Sequence, residues 1–179
     1  MRQRVILLVE DNPDDEALTR RALAKNNIEN EVVVARDGAE ALDGLFGTGP
    51  QAGKPIVPEV ILLDLKLPKI DGLEVLRRVK ESDPAIEVVM ITAYASLETV
   101  KLALTHGAFE YLIKPFSRQD LEDTVKRALA RRQSEIGTRS QLSTLVEDMR
   151  TLSAKTRELE EEARREQAEQ SLRVTQLSI

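Results

Sequence analysis

The stretch Val60-Ile-Leu-Leu-Asp64-Leu-Lys-Leu-Pro68-Lys-Ile-Asp-Gly72 places a single carboxylate at the end of a wholly apolar run. Such a run predicts a short strand that is covered by helices on both faces, as in a parallel sheet. Pro68 and Gly72 break the chain soon afterwards, so the strand must end near Asp64. Ligands bind beyond the carboxyl ends of strands in these sheets, which makes Asp64 a candidate site residue. A strand-end aspartate that only closes an Asx-turn fits this stretch equally well.

Four further apolar runs have the same character, and each is followed by a helical pattern. They lie at Val5–Val9, Glu31–Ala35, Val88–Ile91 and Tyr111–Ile113. Five strand–helix units predict an α/β fold in which a five-stranded parallel sheet is doubly wound with right-handed crossovers. Helix starts are expected where capping residues stand, at Asn12, Asp37, Ser96 and Ser117.

The carboxyl ends of parallel strands meet at one edge of a sheet, so the residues that follow the strands are expected to converge. These residues are Glu10, Asp11, Asp64, Thr92 and Lys114. Helix capping accounts for the neighbouring Asn12, Asp14 and Asp15, but it accounts less well for the two acids that precede the cap.

The expected cluster contains the parts of a phosphoryl-transfer site. Carboxylate oxygens with room for water suit Mg²⁺, and without a cation between them mutual repulsion would favour protonation of one acid. Lys114 supplies a positive charge and Thr92 a hydroxyl, while a carboxylate can act as the nucleophile and form an aspartyl phosphate.

Composition excludes several other classes of site. The chain has 179 residues with no cysteine and one histidine, which excludes disulfides, thiolate metal sites and multi-histidine metal centres. Its 26 basic and 31 acidic residues give a net charge of −5, so nucleic acid meets no general attraction. No run of apolar residues is long enough to cross a membrane. We therefore expect a cytoplasmic protein that contacts neither nucleic acid nor membrane.

Taken in order, these motifs resemble the receiver domain of bacterial two-component response regulators over roughly residues 3 to 132. The resemblance is carried by four motifs: Val9-Glu10-Asp11-Asn-Pro13, Leu62-Leu-Asp64-Leu-Lys-Leu-Pro68-Lys-Ile-Asp-Gly72, Ile91-Thr92-Ala93, and Tyr111-Leu-Ile-Lys114-Pro115-Phe116. Each motif alone is weak evidence. All of them in this order, at the ends of the predicted strands, are highly specific for this flavodoxin-like fold.

The resemblance implies that Asp64 accepts a phosphoryl group from a phosphohistidine on a sensor histidine kinase or a phosphotransfer protein. It also implies a Mg²⁺ site, with Asp11 as a direct ligand and Glu10 acting through water. Asp64 and the backbone carbonyl of Lys66 would complete the protein ligands. The chain would then be a signalling switch that catalyses only its own phosphorylation and dephosphorylation.

The resemblance further implies how phosphorylation is sensed. Lys114 would contact the phosphoryl group, with the Lys114–Pro115 peptide bond in the cis form. Thr92 would move to bind a phosphoryl oxygen, and Tyr111 would turn inward behind it. Lys66 and Tyr94 flank the site at positions that in this family tune the lifetime of the phosphoryl group, and they leave that lifetime undetermined.

Beyond the receiver motifs the pattern stays helical to the end. Apolar and small residues recur three and four apart at Leu142, Leu145, Met149, Leu152, Thr156, Leu159 and Ala163, which is the spacing of a coiled coil. We expect a receiver domain at residues 1–132 and a helical segment at 133–179 that extends the fifth helix and forms a parallel homodimer. Gly137 is the position where a kink or break would be most expected, and the sequence leaves the continuity of the helix there undetermined. A solvated single helix is the alternative. The pattern continues to the last residue, so an output domain is expected to follow.

Two other functions compete with the phosphoacceptor switch. The first is a scaffold or dimerisation module that keeps the fold without being phosphorylated, and the complete set of site residues argues against it. The second is a phosphatase-like hydrolase with an aspartyl intermediate. That chemistry needs an acid–base residue near the nucleophile, whereas Lys66 stands two positions after Asp64.

Overall fold

The computed structural model describes residues 4–24, 28 and 30–176, including their side chains except at 51, 162, 163 and 166–176. The five strands are β1 (Val5–Val9), β2 (Glu31–Ala35), β3 (Pro58–Asp64), β4 (Glu87–Thr92) and β5 (Glu110–Ile113). All neighbouring strands pair in parallel, in the order β2-β1-β3-β4-β5. The predicted fold class is therefore confirmed.

Five α-helices connect and follow the strands: α1 (Pro13–Ala24), α2 (Gly38–Phe46), α3 (Gly72–Ser82), α4 (Leu97–Thr105) and α5 (Arg118–Gln176). The expected caps are present. Asp37 and Ser96 accept the backbone N–H groups of Glu40 and Thr99 at the starts of α2 and α4. The predicted end of α1 near Lys25 lies outside the described residues.

Both faces of the sheet are covered by helices, as the apolar runs require. In β1, Ile6 and Leu8 lie in a buried cluster with residues of α1 and α5. Leu7 and Val9 lie in a second cluster with residues of α2, α3 and α4. Successive strand residues point to opposite faces, so a strand that is buried on both sides contains only apolar residues.

The order of the strands places a crevice between the ends of β1 and β3. The chain leaves β1 for β2 on one side, whereas β3 pairs with β1 on the other side, and ligands bind where the winding reverses in this way. Val9 of β1 is the register partner of Leu63 of β3. Glu10, the residue after β1, and Asp64, the last residue of β3, therefore lie side by side.

The chain divides into two compact units, Met1–Glu135 and Ile136–Ile179. The first unit contains the whole sheet. The second unit is helical in its described part, and α5 continues through Gly137, so the predicted extension of the fifth helix is confirmed and the helix is not broken at this residue. A glycine keeps its backbone N–H and only lowers helix stability by about 1 kcal/mol relative to alanine. The predicted domain boundary after residue 132 stays a prediction.

In the second unit, the apolar side chains of the predicted coiled-coil stripe are exposed. Leu142, Leu145, Met149, Leu152 and Leu159 are all more than half exposed, while the side chain of Ala163 lies outside the described part. None of the helices described, α5 included, combines the length and the apolar character that a membrane span requires.

Candidate functional site

Three acids at the crevice between β1 and β3 lie close enough to share one metal ion. Oxygen atoms of Glu10, Asp11 and Asp64 are all within 4.8 Å of one another. Glu10 is almost completely buried at 3% exposure, and its Oε1 accepts the backbone N–H of Asn12 at 3.2 Å. Carboxylate oxygens are the ligands that Mg²⁺ prefers. The donor set of this cluster therefore fits the ion.

Both oxygens of the Asp64 carboxylate have hydrogen-bond partners, one in the loop after β3 and one after β5. The Oδ1 atom accepts a hydrogen bond of 3.2 Å from the backbone N–H of Lys66. This bond closes the Asx-turn that the sequence suggested. The Oδ2 atom accepts a hydrogen bond of 3.1 Å from the Lys114 ammonium. The turn and the site were alternative interpretations of the sequence, and the structure contains both.

Gly72 brings the start of α3 against the backbone of Asp64. Its N–H donates to the carbonyl oxygen of Leu65 at 2.9 Å. A Cβ atom at this position would lie 2.2 Å from the carbonyl oxygen of Asp64, which is far inside van der Waals contact. The loop can close on itself in this way only because the residue has no side chain.

The Lys114 ammonium is the cation between the acids. Its Nζ donates to Asp15 Oδ2 at 2.6 Å, to Glu10 Oε2 at 2.7 Å and to Asp64 Oδ2 at 3.1 Å. Burial acts to lower the pKa of Lys114, but its hydrogen bonds to Asp15 and Glu10 and the nearby charges outweigh this and raise it above the ordinary value. The lysine is therefore fully charged at neutral pH.

Burial disfavours the charged form of Glu10 as well, but for a carboxyl this raises the pKa instead of lowering it. It raises the pKa of this carboxyl above the usual range, although the hydrogen bond and the charge of Lys114 act to lower it. The Asp64 charge adds to the increase. A second cation at the cluster would relieve this repulsion.

The hydroxyl groups near the site have local partners. Thr92 is completely buried, and its Oγ1 accepts the backbone N–H of Tyr94 at 3.1 Å. Tyr111 packs against the core cluster beneath α2, α3 and α4, and its hydroxyl lies 3.4 Å from Thr99 Oγ1. The Lys66 ammonium lies 3.6 Å from the centroid of the Tyr94 ring. The Lys114–Pro115 peptide bond is cis, as expected.

The structure thus brings Glu10, Asp11, Asp64 and Lys114 together, and it adds Asp15, which the sequence analysis explained as a helix-start acid. The signal that could have identified Asp15 is positional. Its helix begins directly after the acids that follow β1, so the first turn of α1 borders the cluster.

Comparison with known proteins reveals extensive similarity. The family model described as the response regulator receiver domain matches residues 6–126. A probable methanogenesis regulatory protein, FilR2 of Methanothrix harundinacea, is 40% identical over 124 residues, which cover 68% of this chain and 79% of that protein. The transcriptional regulatory protein TrcR of Mycobacterium tuberculosis is 37% identical over 154 residues, which cover 86% of this chain and 55% of TrcR.

Solved structures show the same architecture. The bacteriophytochrome response regulator AtBRR is 46% identical, with a TM-score of 0.63 over 73% of this chain and 94% of its own. The Mn²⁺-bound form of response regulator Rcp1 is 35% identical, with a TM-score of 0.60 over 71% of this chain and 90% of its own.

Proposed function

The chain belongs to the response regulator receiver domain family, and on that premise we propose that Asp64 is its phosphoacceptor. The family assignment makes the chain a receiver domain of two-component signal transduction. The proposal adds the residues that carry the chemistry, the donor and the route by which the change is transmitted.

The observation that carries this proposal is the position of Asp64 within the cluster. Its carboxylate lies at the crevice between β1 and β3, with Lys114 Nζ 3.1 Å from Oδ2 and oxygen atoms of Glu10 and Asp11 within 4.8 Å. The side chain is 12% exposed, which leaves it accessible from the rim. A nucleophilic carboxylate beside a fixed cation and two metal-binding acids suits phosphoryl transfer.

The proposed donor is a phosphohistidine on a sensor histidine kinase or a phosphotransfer protein. An Asp64 oxygen attacks phosphorus, forming a P–O bond as the P–N bond breaks. The electron pair of the broken bond stays on the imidazole nitrogen, which takes up a proton. Lys114 stabilises the negative charge on the transferring oxygens. Hydrolysis of the acyl phosphate by water then returns Asp64 and inorganic phosphate.

We assign Mg²⁺ to Asp11 and Asp64 directly, to Glu10 through water and to the backbone carbonyl of Lys66. The ion supplies positive charge that neutralises the acids and the phosphoryl oxygens. The similarity to Rcp1, which was solved in a Mn²⁺-bound form, supports the binding of a divalent ion by this chain. The chain's own contribution is to hold the acids in place through the turn at Lys66 and the hydrogen bond from Asn12 to Glu10.

We assign the response to phosphorylation to Thr92 and Tyr111. The Thr92 hydroxyl has the Tyr94 amide as its partner in this structure, so it can turn towards a phosphoryl oxygen without breaking a buried side-chain pair. Tyr111 reaches Thr99 at the start of α4. A shift of Thr92 followed by Tyr111 would alter the face that α4, β5 and α5 form.

Mass spectrometry of the intact protein tests the assignment of Asp64. Incubation with acetyl phosphate and Mg²⁺ is expected to add one phosphoryl group to the native chain and none to Asp64→Asn. Asp14→Asn is the matched control, because Asp14 is an exposed acid close to the same rim, and it is expected to be modified like the native chain.

Two results would contradict the assignment. A native chain that gains no mass would favour the scaffold alternative, in which the fold is kept without phosphorylation. A phosphoryl group that persists in Asp64→Asn would place the acceptor elsewhere. Turnover of external phosphate esters would favour the hydrolase alternative.

We also propose that the second unit forms a parallel homodimeric coiled coil through Leu142, Leu145, Met149, Leu152 and Leu159. Support comes from the exposure of this stripe on a single copy and from its three–four spacing, which lines one face of a helix. An isolated helix gains little stability without packing. A change at the receiver face would then alter the pairing of the two helices.

A further inference from the structure

The Lys114 ammonium has no N–H left for a phosphoryl group in this structure. An ammonium carries three N–H donors, and the three carboxylates of Asp15, Glu10 and Asp64 each lie within 3.1 Å of Nζ. The proposed function requires Lys114 to donate to a phosphoryl oxygen. Phosphorylation turns the Asp64 carboxylate into an acyl phosphate, so the bond from Lys114 to Asp64 Oδ2 passes to a phosphoryl oxygen. That oxygen lies two bonds beyond the carboxylate, so the ammonium has to shift towards it, and the hydrogen bonds to Glu10 and Asp15 oppose this shift.

The two partners that remain carboxylates differ in what release of Lys114 would cost. The Glu10 side chain is 3% exposed, whereas the Asp15 side chain is 32% exposed. Glu10 and Asp64 also belong to the metal-binding cluster, and Asp15 does not. A carboxylate that can return to water loses least when its partner leaves, because its solvation replaces the lost hydrogen bond.

An ordinary explanation exists for an acid at this position. Asp14, Asp15 and Glu16 all stand in the first turn of α1, where negative charge interacts favourably with the helix dipole. That explanation applies to all three alike. Among the described acids of this turn, however, only Asp15 contacts Lys114, and at 2.6 Å its bond is the shortest of the three.

We propose that Asp15 is a positioning residue that holds Lys114 while Asp64 is unmodified and releases it when Asp64 carries a phosphoryl group. The inference rests on the proposed function of Asp64. Asp15 thereby competes with the phosphoryl group for the lysine and weakens the phosphorylated state relative to a chain that lacks this carboxylate.

Beryllofluoride with Mg²⁺ is a suitable probe, because it binds an aspartate carboxylate as an analogue of a phosphoryl group. Its affinity can be measured by ¹⁹F NMR on the full chain. Asp15→Asn keeps the size of the side chain but replaces a charge-assisted hydrogen bond with a neutral one, so beryllofluoride is expected to bind about fivefold more tightly.

Two further variants separate the effect of the hydrogen bond between Asp15 and Lys114 from the effect of removing a negative charge near the site. Asp14→Asn removes the same charge from the same turn, so it is expected to bind beryllofluoride within about twofold of the native chain. Asp15→Glu restores a carboxylate to Lys114 and is also expected to return the affinity to within about twofold of native. Thermal unfolding of each variant reports that its fold is intact.

The Lys114 ammonium itself supplies a readout that is independent of affinity. In the free state its ¹⁵N and ¹H resonances are expected to differ between the native chain and Asp15→Asn, because only the native chain has the Asp15 bond. In the beryllofluoride-bound state the two proteins are expected to give the same Lys114 resonances, because the hydrogen bond between Asp15 and Lys114 is then broken.

Three outcomes would overturn the inference. Equal or weaker affinity in Asp15→Asn would show that Asp15 does not compete. Equal tightening in Asp14→Asn would reduce the effect to general charge, and different Lys114 resonances in the bound state would mean that Asp15 is never released. Failure of the native chain to bind beryllofluoride would instead overturn the proposed function, and this inference with it.

Discussion

Glu87 is a buried carboxylate at the start of β4, at the opposite end of the parallel sheet from the candidate site. It is 1% exposed, and its Oε1 lies 3.1 Å from Nε of Arg131 on α5. Burial raises its pKa above the ordinary range, although the charges of Lys80, Arg131 and Arg132 act to lower it. Glu135 adds to the increase.

The pKa shift of Glu87 makes stability depend on pH. A carboxyl whose pKa is raised on folding binds its proton more tightly in the folded state, so its favourable contribution is complete below the unfolded pKa and is lost as pH rises through the folded pKa. The free energy of unfolding of the native chain relative to Glu87→Gln is therefore expected to fall as pH rises above about 4.3, the ordinary glutamate pKa. It should level off once Glu87 is ionised in the folded state.

Urea unfolding of both proteins across this range provides the measurement. The other carboxyls, including Glu10, whose pKa is also raised, are common to the two proteins and cancel in the difference. The absolute stability of Glu87→Gln does not enter the argument, because the substitution also removes the ion pair with Arg131. A difference that stays constant with pH, or rises with it, would show that Glu87 is not desolvated in the folded state.

At the scale of single residues, the sequence predicts those site residues that stand at the carboxyl ends of strands. Glu10, Asp64 and Lys114 each follow an apolar run, and in a parallel sheet such positions meet whatever the distance between them along the chain. Asp15 and Glu87 do not stand at the carboxyl end of a strand. Their partners, Lys114 and Arg131, belong to other parts of the chain, so the Asp15–Lys114 and Glu87–Arg131 pairs can be identified only once the helices have been placed.

At the scale of elements, the turn between β3 and α3 depends on Gly72. A Cβ atom there would lie 2.2 Å from the Asp64 carbonyl oxygen and 2.9 Å from Leu65 Cα. Because both neighbours are backbone atoms, they cannot move aside without displacing the loop that carries Asp64. Gly72→Ala is expected to lower the free energy of unfolding by about 1–3 kcal/mol and to slow modification by acetyl phosphate.

Gly137→Ala is the matched control for this prediction. Nothing lies within 4 Å of a Cβ at Gly137, and the residue is inside α5. Alanine is there expected to stabilise the helix by up to about 1 kcal/mol. Urea unfolding compares the two variants, and a Gly72→Ala protein as stable as the native chain would refute the close approach.

The elements themselves were predictable because local signals agree with the packing. The central residues of the strands are apolar, and Asp37, Ser96 and Ser117 mark helix starts. At the last of these, Ser117 and Asp120 exchange hydrogen bonds. The helix continues through Gly137, where a break was most expected, for a physical reason. Glycine weakens a helix without removing a backbone hydrogen bond, unlike proline, so flanking helix-forming residues can carry the helix through it.

At the scale of the whole molecule, the two units differ in how they bury apolar surface. The first unit has two buried clusters, one on each face of its sheet. In the second unit the large apolar side chains Leu145, Met149 and Leu152 are exposed. Helices gain most of their stability in proteins by packing an apolar face. The proposed homodimer would cover this stripe with the same stripe of a second copy of the chain.

Replacing stripe leucines with aspartate tests this pairing. Leu145 and Leu152 are 56% and 68% exposed on the single chain, and each would be buried twice in a two-stranded coil. Burial of a leucine side chain contributes about 1.5–3 kcal/mol, and aspartate adds repulsion at the seam. Leu145→Asp and Leu152→Asp are each expected to raise the dimer dissociation constant at least about a hundredfold.

Sedimentation equilibrium of the full chain measures this constant, with Ala154→Asp as the control. Ala154 stands two residues after Leu152, on the side of the helix away from the stripe. The substitution therefore adds the same charge to the same helix without entering the seam, and it is expected to leave the dimer intact. A native chain that sediments as a monomer, or dissociation by Ala154→Asp equal to that by Leu152→Asp, would show that the stripe does not form the interface.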